Sequence, residues 1–254
     1  MVTDCNAALS GTDIVEFGDD VSSIRATWLG TVDYKEAAKL QREIAQRPIQ
    51  GKSDHRLLLL EHPNVFTLGR RGDPKHVLKN VATNRYMEVP VINSDRGGEV
   101  TYHGPGQLVG YPIVDLRLLG LGPVKYVCAL EESIIQTLDR FGVHSHRVPG
   151  KTGVWVGGNP NFKVQDRGLP NGHKIAAIGV RVAKGLTSHG FALNVNTDLA
   201  YFDRIVPCGM PGLPVTSLKQ ATGLQIEVKT IGSLVAKKLA ANLGVKLEWS
   251  KSSV

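Results

Sequence analysis

Four consecutive leucines, Leu57 to Leu60, narrow the folds open to this chain more than any other feature. Side chains alternate between the two faces along a strand, so an unbroken apolar run demands cover on both sides of a sheet. The chain must therefore supply layers above and below that strand. Its 254 residues, 42% of them hydrophobic, are enough for one sizeable core, or for a large lobe with a smaller companion. No internal repeat shows, and no apolar stretch approaches the roughly 18–20 residues that crossing a bilayer takes.

The neighbouring segments fill in the layers. Asp33 with Glu36 resembles a capping box, opening a helix in which Tyr34, Ala37, Ala38 and Ile44 line one face. A turn through His62, Pro63 and Asn64 leads to Val65–Leu68, which reads as the hairpin partner of the leucine strand. Val89 to Ile92 and Leu108 to Val114 read as further strands. The clearest helix runs from about Val124 to Phe141, where Val127, Leu130, Ile134, Ile135 and Leu138 recur at helical spacing and Gly142 is placed to cap the end. On that helix Cys128 reads as a small buried hydrophobe. Three strands follow, at Gly153–Val156, Ile175–Val182 and Phe191–Val195, with an exposed loop expected from Gly157 to Gly172. A short helix near Leu199–Ile205 precedes Pro207-Cys208-Gly209. A last amphipathic helix carries Ile231, Leu234, Val235, Leu239 and Leu243 and stops at Gly244. Strands outnumber helices and often follow one another directly, which predicts an α+β fold with a mixed β-sheet flanked by helices.

The formal net charge of +7 points to an acidic partner. Nucleic acid is not favoured, because the basic residues are dispersed, only 6% of residues are aromatic and no nucleic-acid motif is present. An acidic protein accounts for the charge as well. Cys5, Cys128 and Cys208 are widely spaced and never form a C-x-x-C pair, so neither a disulfide framework nor a structural zinc site is expected. Met1 to Asp20 has no basic start and no apolar run, and it carries five acidic residues. A secretory signal or transit peptide is not expected there, and the cytoplasm is the default.

Three near-matches to known motifs fail on spacing. Gly104-Pro105-Gly106-Gln107-Leu108-Val109-Gly110 resembles a dinucleotide fingerprint, but its last glycine comes one residue late and it opens a strand. Gly51-Lys52-Ser53 and Gly150-Lys151-Thr152 look like the tail of a phosphate-binding loop, yet Gln46 and Ser145 stand where the first glycine belongs. Both read as turns. His144 and His146 lack an acid or cysteine at ligand spacing, so no metal is expected.

Chemistry concentrates elsewhere. From Arg96 to Gln107, four glycines and a proline let backbone approach a ligand, while Arg96, Thr101, Tyr102, His103 and Gln107 supply polar and aromatic groups. Lys174 opens the apolar run Ile175-Ala176-Ala177-Ile178-Gly179-Val180, and from this segment alone it reads equally as a snorkelling surface lysine or as a site residue. Ser188 to Asn196 forms a third segment. In the fourth, Cys208 sits between proline and glycine, a turn that suits an accessible thiol better than a core filler.

Together RGGEVTYHGPGQ, KIAAIGVRV, SHGFALNVN and PCG, followed by Val215-Thr216-Ser217-Leu218, resemble in order and spacing the motif series of the lipoyl(octanoyl) transferases. The likeness spans roughly Leu57 to Leu218. It implies the biotin/lipoate protein ligase fold in a single catalytic domain over residues 1–254, with a family-like core at about 50–220 and the N-terminal extension and C-terminal helix packed on it. The activity implied is transfer of octanoyl from octanoyl-acyl carrier protein to the lysine of lipoyl domains, those of 2-oxoacid dehydrogenase E2 subunits and of the glycine cleavage H protein. The family's acyl-thioester cysteine falls on Cys208 and its paired lysine on Lys174. Its substrate-binding stretches fall on Arg96, Gly97, Gly98, Glu99, Val100, Thr101, Tyr102 and His103, on Ala177, Ile178 and Gly179, and on Gly190, Phe191 and Ala192. No cofactor, metal, nucleic acid or membrane is implied, and a monomer is expected. The alternative is an ATP-dependent lipoate or biotin protein ligase of the same fold, which would not need Cys208.

The chemistry behind these positions is simple. A free thiol titrates near 8.5, and an ammonium a few ångströms away favours the thiolate, by roughly one to three units in general. The same group, once neutral, can take a proton from an incoming amine. An eight-carbon chain needs an apolar slot, and the glycines around Gly98 and Gly190 leave room for one.

Overall fold

The leucine run lies at the centre of the larger of two sheets. The computed structural model describes residues 22–46, 55–78, 89–157 and 172–250. The elements in order are β1 (Ser23–Thr31), α1 (Tyr34–Gln46), β2 (His55–Glu61), β3 (Val65–Leu68), β4 (Val91–Asn93), β5 (Val100–His103), β6 (Gln107–Ile113) and α2 (Pro123–Asp139). Then come β7 (Ser145–Val148), β8 (Lys151–Val156), β9 (His173–Ala183), β10 (Leu186–Asn194), α3 (Leu218–Thr222), α4 (Val228–Leu243) and β11 (Lys246–Trp249). Short 3-10 turns occupy Leu199–Arg204 and Pro207–Gly209.

The large sheet has the order β11-β1-β2-β6-β10-β9-β8-β7. β1 pairs parallel with β2 and β11, and the remaining neighbours are antiparallel, so the sheet is mixed as expected. β2 is an inner strand between β1 and β6, and Leu57 through Leu60 are all buried. Leu57 and Leu59 pack under α2 and α4 with Ile134, Val235 and Leu239, while Leu58 and Leu60 pack with Ala37 of α1. The two covering layers that the run demanded are these helices.

One pairing differs from expectation. β3 does not return along β2 but leaves the large sheet to centre a second sheet of order β4-β3-β5. All four of its side chains are buried, and Phe66 and Leu68 join Tyr102, Phe202 and Ile205 in a separate core. Tight apolar strands on either side of a short turn look like a hairpin whether they pair with each other or diverge.

Most helix signals hold, but α2 ends at Asp139 with Arg140, not Gly142, at its C-cap. Asp33 accepts the amides of Lys35 and Glu36 at 2.7 and 3.3 Å, the side-chain half of an N-terminal cap. Gly244 caps α4 in the left-handed conformation at φ +66°. Cys128 is buried on α2 as expected, but it is engaged in a disulfide, which the cysteine spacing argued against. Cys208 is the free cysteine among the described residues. Pro149-Gly150 makes the turn between β7 and β8, with Lys151 opening β8, and the Gly104–Gly110 run opens β6; Gly51–Ser53 and most of the Gly157–Gly172 loop lie outside the described residues. No helix among the described residues is long and apolar enough to cross a membrane.

Candidate active site

The site forms where the two sheets meet. In the large sheet, β9 and β10 pair Ala177 with Ala192 and Gly179 with Gly190, and Ala192 in turn faces Val109 of β6. Cross-strand neighbours on one face are close, and four of these five have a side chain no larger than methyl. The result is a depression in the sheet surface. Ile178 and Phe191, one residue out of step, turn their bulk to the α2/α4 core.

The loop from Arg96 to Glu99 roofs this depression at van der Waals distance. A Cβ on Gly179 would lie 2.9 Å from Gly97 O, and one on Gly97 would lie 2.8 Å from Val180 O, so both positions require glycine for the approach. Arg96 is buried and spends its guanidinium on the loop itself. Nη2 donates to Thr67 O and Glu99 O, both at 2.7 Å, Nη1 to Gly97 O at 3.0 Å and Nε to Thr67 Oγ1 at 3.1 Å. Burial pushes its pKa down, while Tyr34 and Cys208 act in the opposite sense.

A cleft of about 510 Å³, measured out to its open side, runs between roof and floor and is lined also by Tyr34, Tyr111, His103 and His189. Every expected site residue lines it except Tyr102. In β5 the alternation sends Thr101 and His103 to the cleft and Tyr102 to the small-sheet core, where it is fully buried, stacks on Tyr201 and donates to Asn64 Oδ1 at 2.8 Å. That placement corrects the expectation for Tyr102.

Lys174 and Cys208 stand together in this cleft. Lys174 Nζ is 3.4 Å from Cys208 Sγ and donates to Thr152 O at 2.9 Å. It also lies 5.3 Å from the centre of the Trp155 ring. The backbone of Lys174 is clamped to the segment after Cys208: its N–H donates to Pro214 O at 2.9 Å, and its carbonyl accepts from Thr216 N–H at 3.0 Å. Cys208 itself adopts φ +56°, a left-handed conformation rare outside glycine, inside the Pro207–Gly209 turn. Nearby, Glu131 of α2 is buried, holds Arg147 at 3.1 Å and accepts the Gly153 amide at 2.8 Å. Burial raises its carboxyl pKa, with that amide and Arg147 acting to lower it.

His103 is held in one tautomer by a directed chain. Asn194 Nδ2 donates to Thr216 O at 3.0 Å, leaving Asn194 Oδ1 to accept from Gln107 Nε2 at 3.0 Å. Gln107 Oε1 then accepts from His103 Nδ1–H at 2.8 Å. Nε2 of His103 is therefore an acceptor. Burial, with His62 and Arg96 nearby, holds the ring well below the usual histidine range, so it is neutral. At the other side His189 donates from Nε2 to Asp95 Oδ1 at 2.7 Å.

The sequence did not single out Tyr34 and Tyr111. Both signals were present: Tyr34 begins the buried face of α1, and Tyr111 keeps step with Val109 along β6. His144 lies 3.9 Å from Asp139, and no group of three or more metal-ligating side chains forms among the described residues.

The lipoyl protein ligase A/B catalytic domain profile matches residues 33–240. The chain belongs to this family. Within the family, an octanoyltransferase of Acidobacterium capsulatum is 48% identical over 198 residues, covering 75% of this chain and 77% of the relative. The octanoyltransferase of Mycobacterium tuberculosis is 46% identical over 224 residues and covers 88% of both. This family member is an acyltransferase. Its fold is shared with a bipartite lipoate protein ligase from Thermoplasma acidophilum, at TM-score 0.64 and 15% identity over 92% of this chain and 88% of that one. It is shared also with lipoate-protein ligase A solved with ATP, at TM-score 0.61 and 15% identity over 91% and 90%.

Proposed function

We propose that this chain transfers an octanoyl group from octanoyl-acyl carrier protein to the lysine of lipoyl domains, through an acyl-thioester on Cys208, as the first step of endogenous protein lipoylation. The observation that carries the reading is the 3.4 Å approach of Lys174 Nζ to Cys208 Sγ in the cleft. Kinship with octanoyltransferases at 46–48% identity supports it.

An ammonium at that distance is placed to stabilise negative charge on the sulfur. The Cys208 thiolate adds to the thioester carbonyl carbon; the new C–S bond forms as the old one breaks, and the departing thiolate takes the Lys174 proton. Lys174 is then a neutral amine. In the second half, the acceptor lysine's nitrogen attacks the Cys208 thioester, an amide forms, and the proton lost from that nitrogen returns to Lys174. Thiolate and ammonium are restored. The first exchange is nearly isoenergetic and the second runs downhill, so no ATP enters.

Intact-protein mass after incubation with octanoyl-acyl carrier protein tests this. An octanoyl adduct released by hydroxylamine is expected on the wild type, and none of that lability on Cys208→Ser. No adduct on either protein, with ATP-dependent acylation of a lipoyl domain instead, would replace the transferase with the ligase reading.

A further inference from the structure

Cys208 lines three recesses: a small one of about 320 Å³ lined also by Ile175, Pro207 and Leu213, and two that share the Gly97–Glu99 loop. Of these two, one is the narrow cleft over Ala177 and Ala192. The other is a wider groove of about 930 Å³, again measured to its open side, reaching the thiol from the direction of the β7–β8 turn. Both include the Gly97–Glu99 loop, Ile178, Gly179, Lys174 and Cys208. The groove alone adds Arg71, Gly150 to Thr152, Val127, Val180 and Met210.

Thioester exchange at a fixed sulfur calls for two such recesses. The carbonyl carbon bears the acyl chain and the departing sulfur, and these point apart. An acyl chain in the cleft over Ala177 and Ala192 leaves its donor's arm to lie elsewhere, and the groove is the recess at Cys208 that also carries Arg71 and Lys151. We propose that the groove receives the polar arm of the thioester donor, a pantetheine chain ending in phosphate, with Arg71 and Lys151 holding the phosphate. The inference rests on the transferase reading.

Charge and position support it. Four ionisable groups besides the thiol line the groove: Arg71, Lys151, Lys174 and Glu99. Glu99 and Lys174 are both at the thiol end. A Cβ on Gly209 would fall 1.9 Å from Glu99 Oε2, and the same oxygen lies 3.5 Å from His76 Nδ1. The cations left for the outer groove are Arg71, which is exposed, and Lys151, whose Nζ lies 5.8 Å from the centre of the Trp155 ring. An arm with amides in the middle and a dianionic or diester phosphate at its end matches that order.

The test compares two small thioesters, octanoyl-4′-phosphopantetheine and octanoyl-pantetheine, by their rates of acylating Cys208 in the full-length wild type and in Arg71→Ala/Lys151→Ala. The wild type should react on the order of tenfold faster with the phosphate-bearing donor. The double variant should react with both donors at the wild-type rate for octanoyl-pantetheine, which also shows that its dyad is intact. A preference that persists in the double variant, or is absent from the wild type, overturns the proposal. So does a double variant impaired only in transfer to the acceptor lysine, which would assign the groove to the acceptor. Failure of both donors and of the acyl carrier protein to acylate the wild type would instead sink the transferase reading beneath it.

Discussion

Lys174 and Cys208 are 34 residues apart in sequence and bring Nζ and Sγ to 3.4 Å, while Thr152 O holds the same ammonium at 2.9 Å from the other side. The lysine cannot rotate away without giving up a charge-assisted hydrogen bond, so its position is set by β8 as much as by the sulfur. Lys174→Met keeps the aliphatic stem and removes the charge. Acyl transfer from carrier to lipoyl domain should fall by about 10²- to 10⁴-fold, with the protein still folded. Transfer within threefold of wild type, at unchanged melting temperature, would remove Lys174 from the proposed mechanism.

The floor of the cleft predicts its selectivity. Ala177 and Ala192 face each other across β9 and β10, and Ala192 is 5% exposed. Ala177→Leu adds three carbons to the space an acyl chain would occupy. The variant should prefer shorter acyl groups, losing octanoyl affinity by roughly 0.8 kcal/mol for each methylene it displaces. Competition between butanoyl, hexanoyl and octanoyl thioesters, read by intact mass, measures it; an unchanged order would mean the chain lies elsewhere.

The directed chain from Thr216 through Asn194 and Gln107 makes His103 an Nδ1–H tautomer. Gln107→Glu substitutes a carboxylate for the amide oxygen that accepts from that N–H. The ring's pKa should move up from its depressed value, against burial and the Arg96 charge. Nuclear magnetic resonance titration of ¹³C-labelled histidine reads this directly. A ring that still titrates as in the wild type would show that residue 107 does not set the state of His103.

Stability should fall in mild acid. His62 donates Nδ1–H to Val32 O at 2.6 Å and accepts from Tyr111 at 2.8 Å, and burial lowers its pKa to about 4. The unfolded histidine protonates near 6.5, so between those values the unfolded state binds the extra proton. The contribution of His62 is thus fully present above pH 6.5 and is lost as pH drops toward 4, by on the order of 3 kcal/mol. His62→Gln should start less stable at pH 7 and lose less on acidification. Parallel melting curves for both proteins from pH 7 to 4 would contradict this.

Much of this was legible in residue order because some local patterns admit one solution. Leu57 to Leu60 can be buried on both sides only inside a covered sheet, and the periodicity of α2 and α4 leaves little choice of element. Lys174 and Cys208 were paired through the family resemblance, since the segment around Lys174 alone reads equally as a surface lysine. What stayed hidden depends on how distant pieces meet. Val65–Leu68 has the same pattern in a hairpin as in a second sheet. Tyr34 lines the cleft only because α1 packs across β6 and β10. Tyr102 belongs to a motif whose neighbours reach the cleft, yet strand alternation turns it away, and the choice of face required knowing where β5 lies.

The dyad also straddles a seam. Lys174 belongs to the eight-stranded sheet, whereas the chain leading into Cys208 is bridged by Ile205 to Val77 beside the three-stranded one, and Phe202 and Ile205 are buried in that sheet's core. Only the stretch beyond the cysteine returns, through Val215, to Lys174. The distance between sulfur and ammonium is therefore a gauge of how the two sheets are seated. On the proposed mechanism, a molecule whose small sheet had lifted off would part this pair while its large sheet was still whole, and would lose acyl transfer before it unfolded.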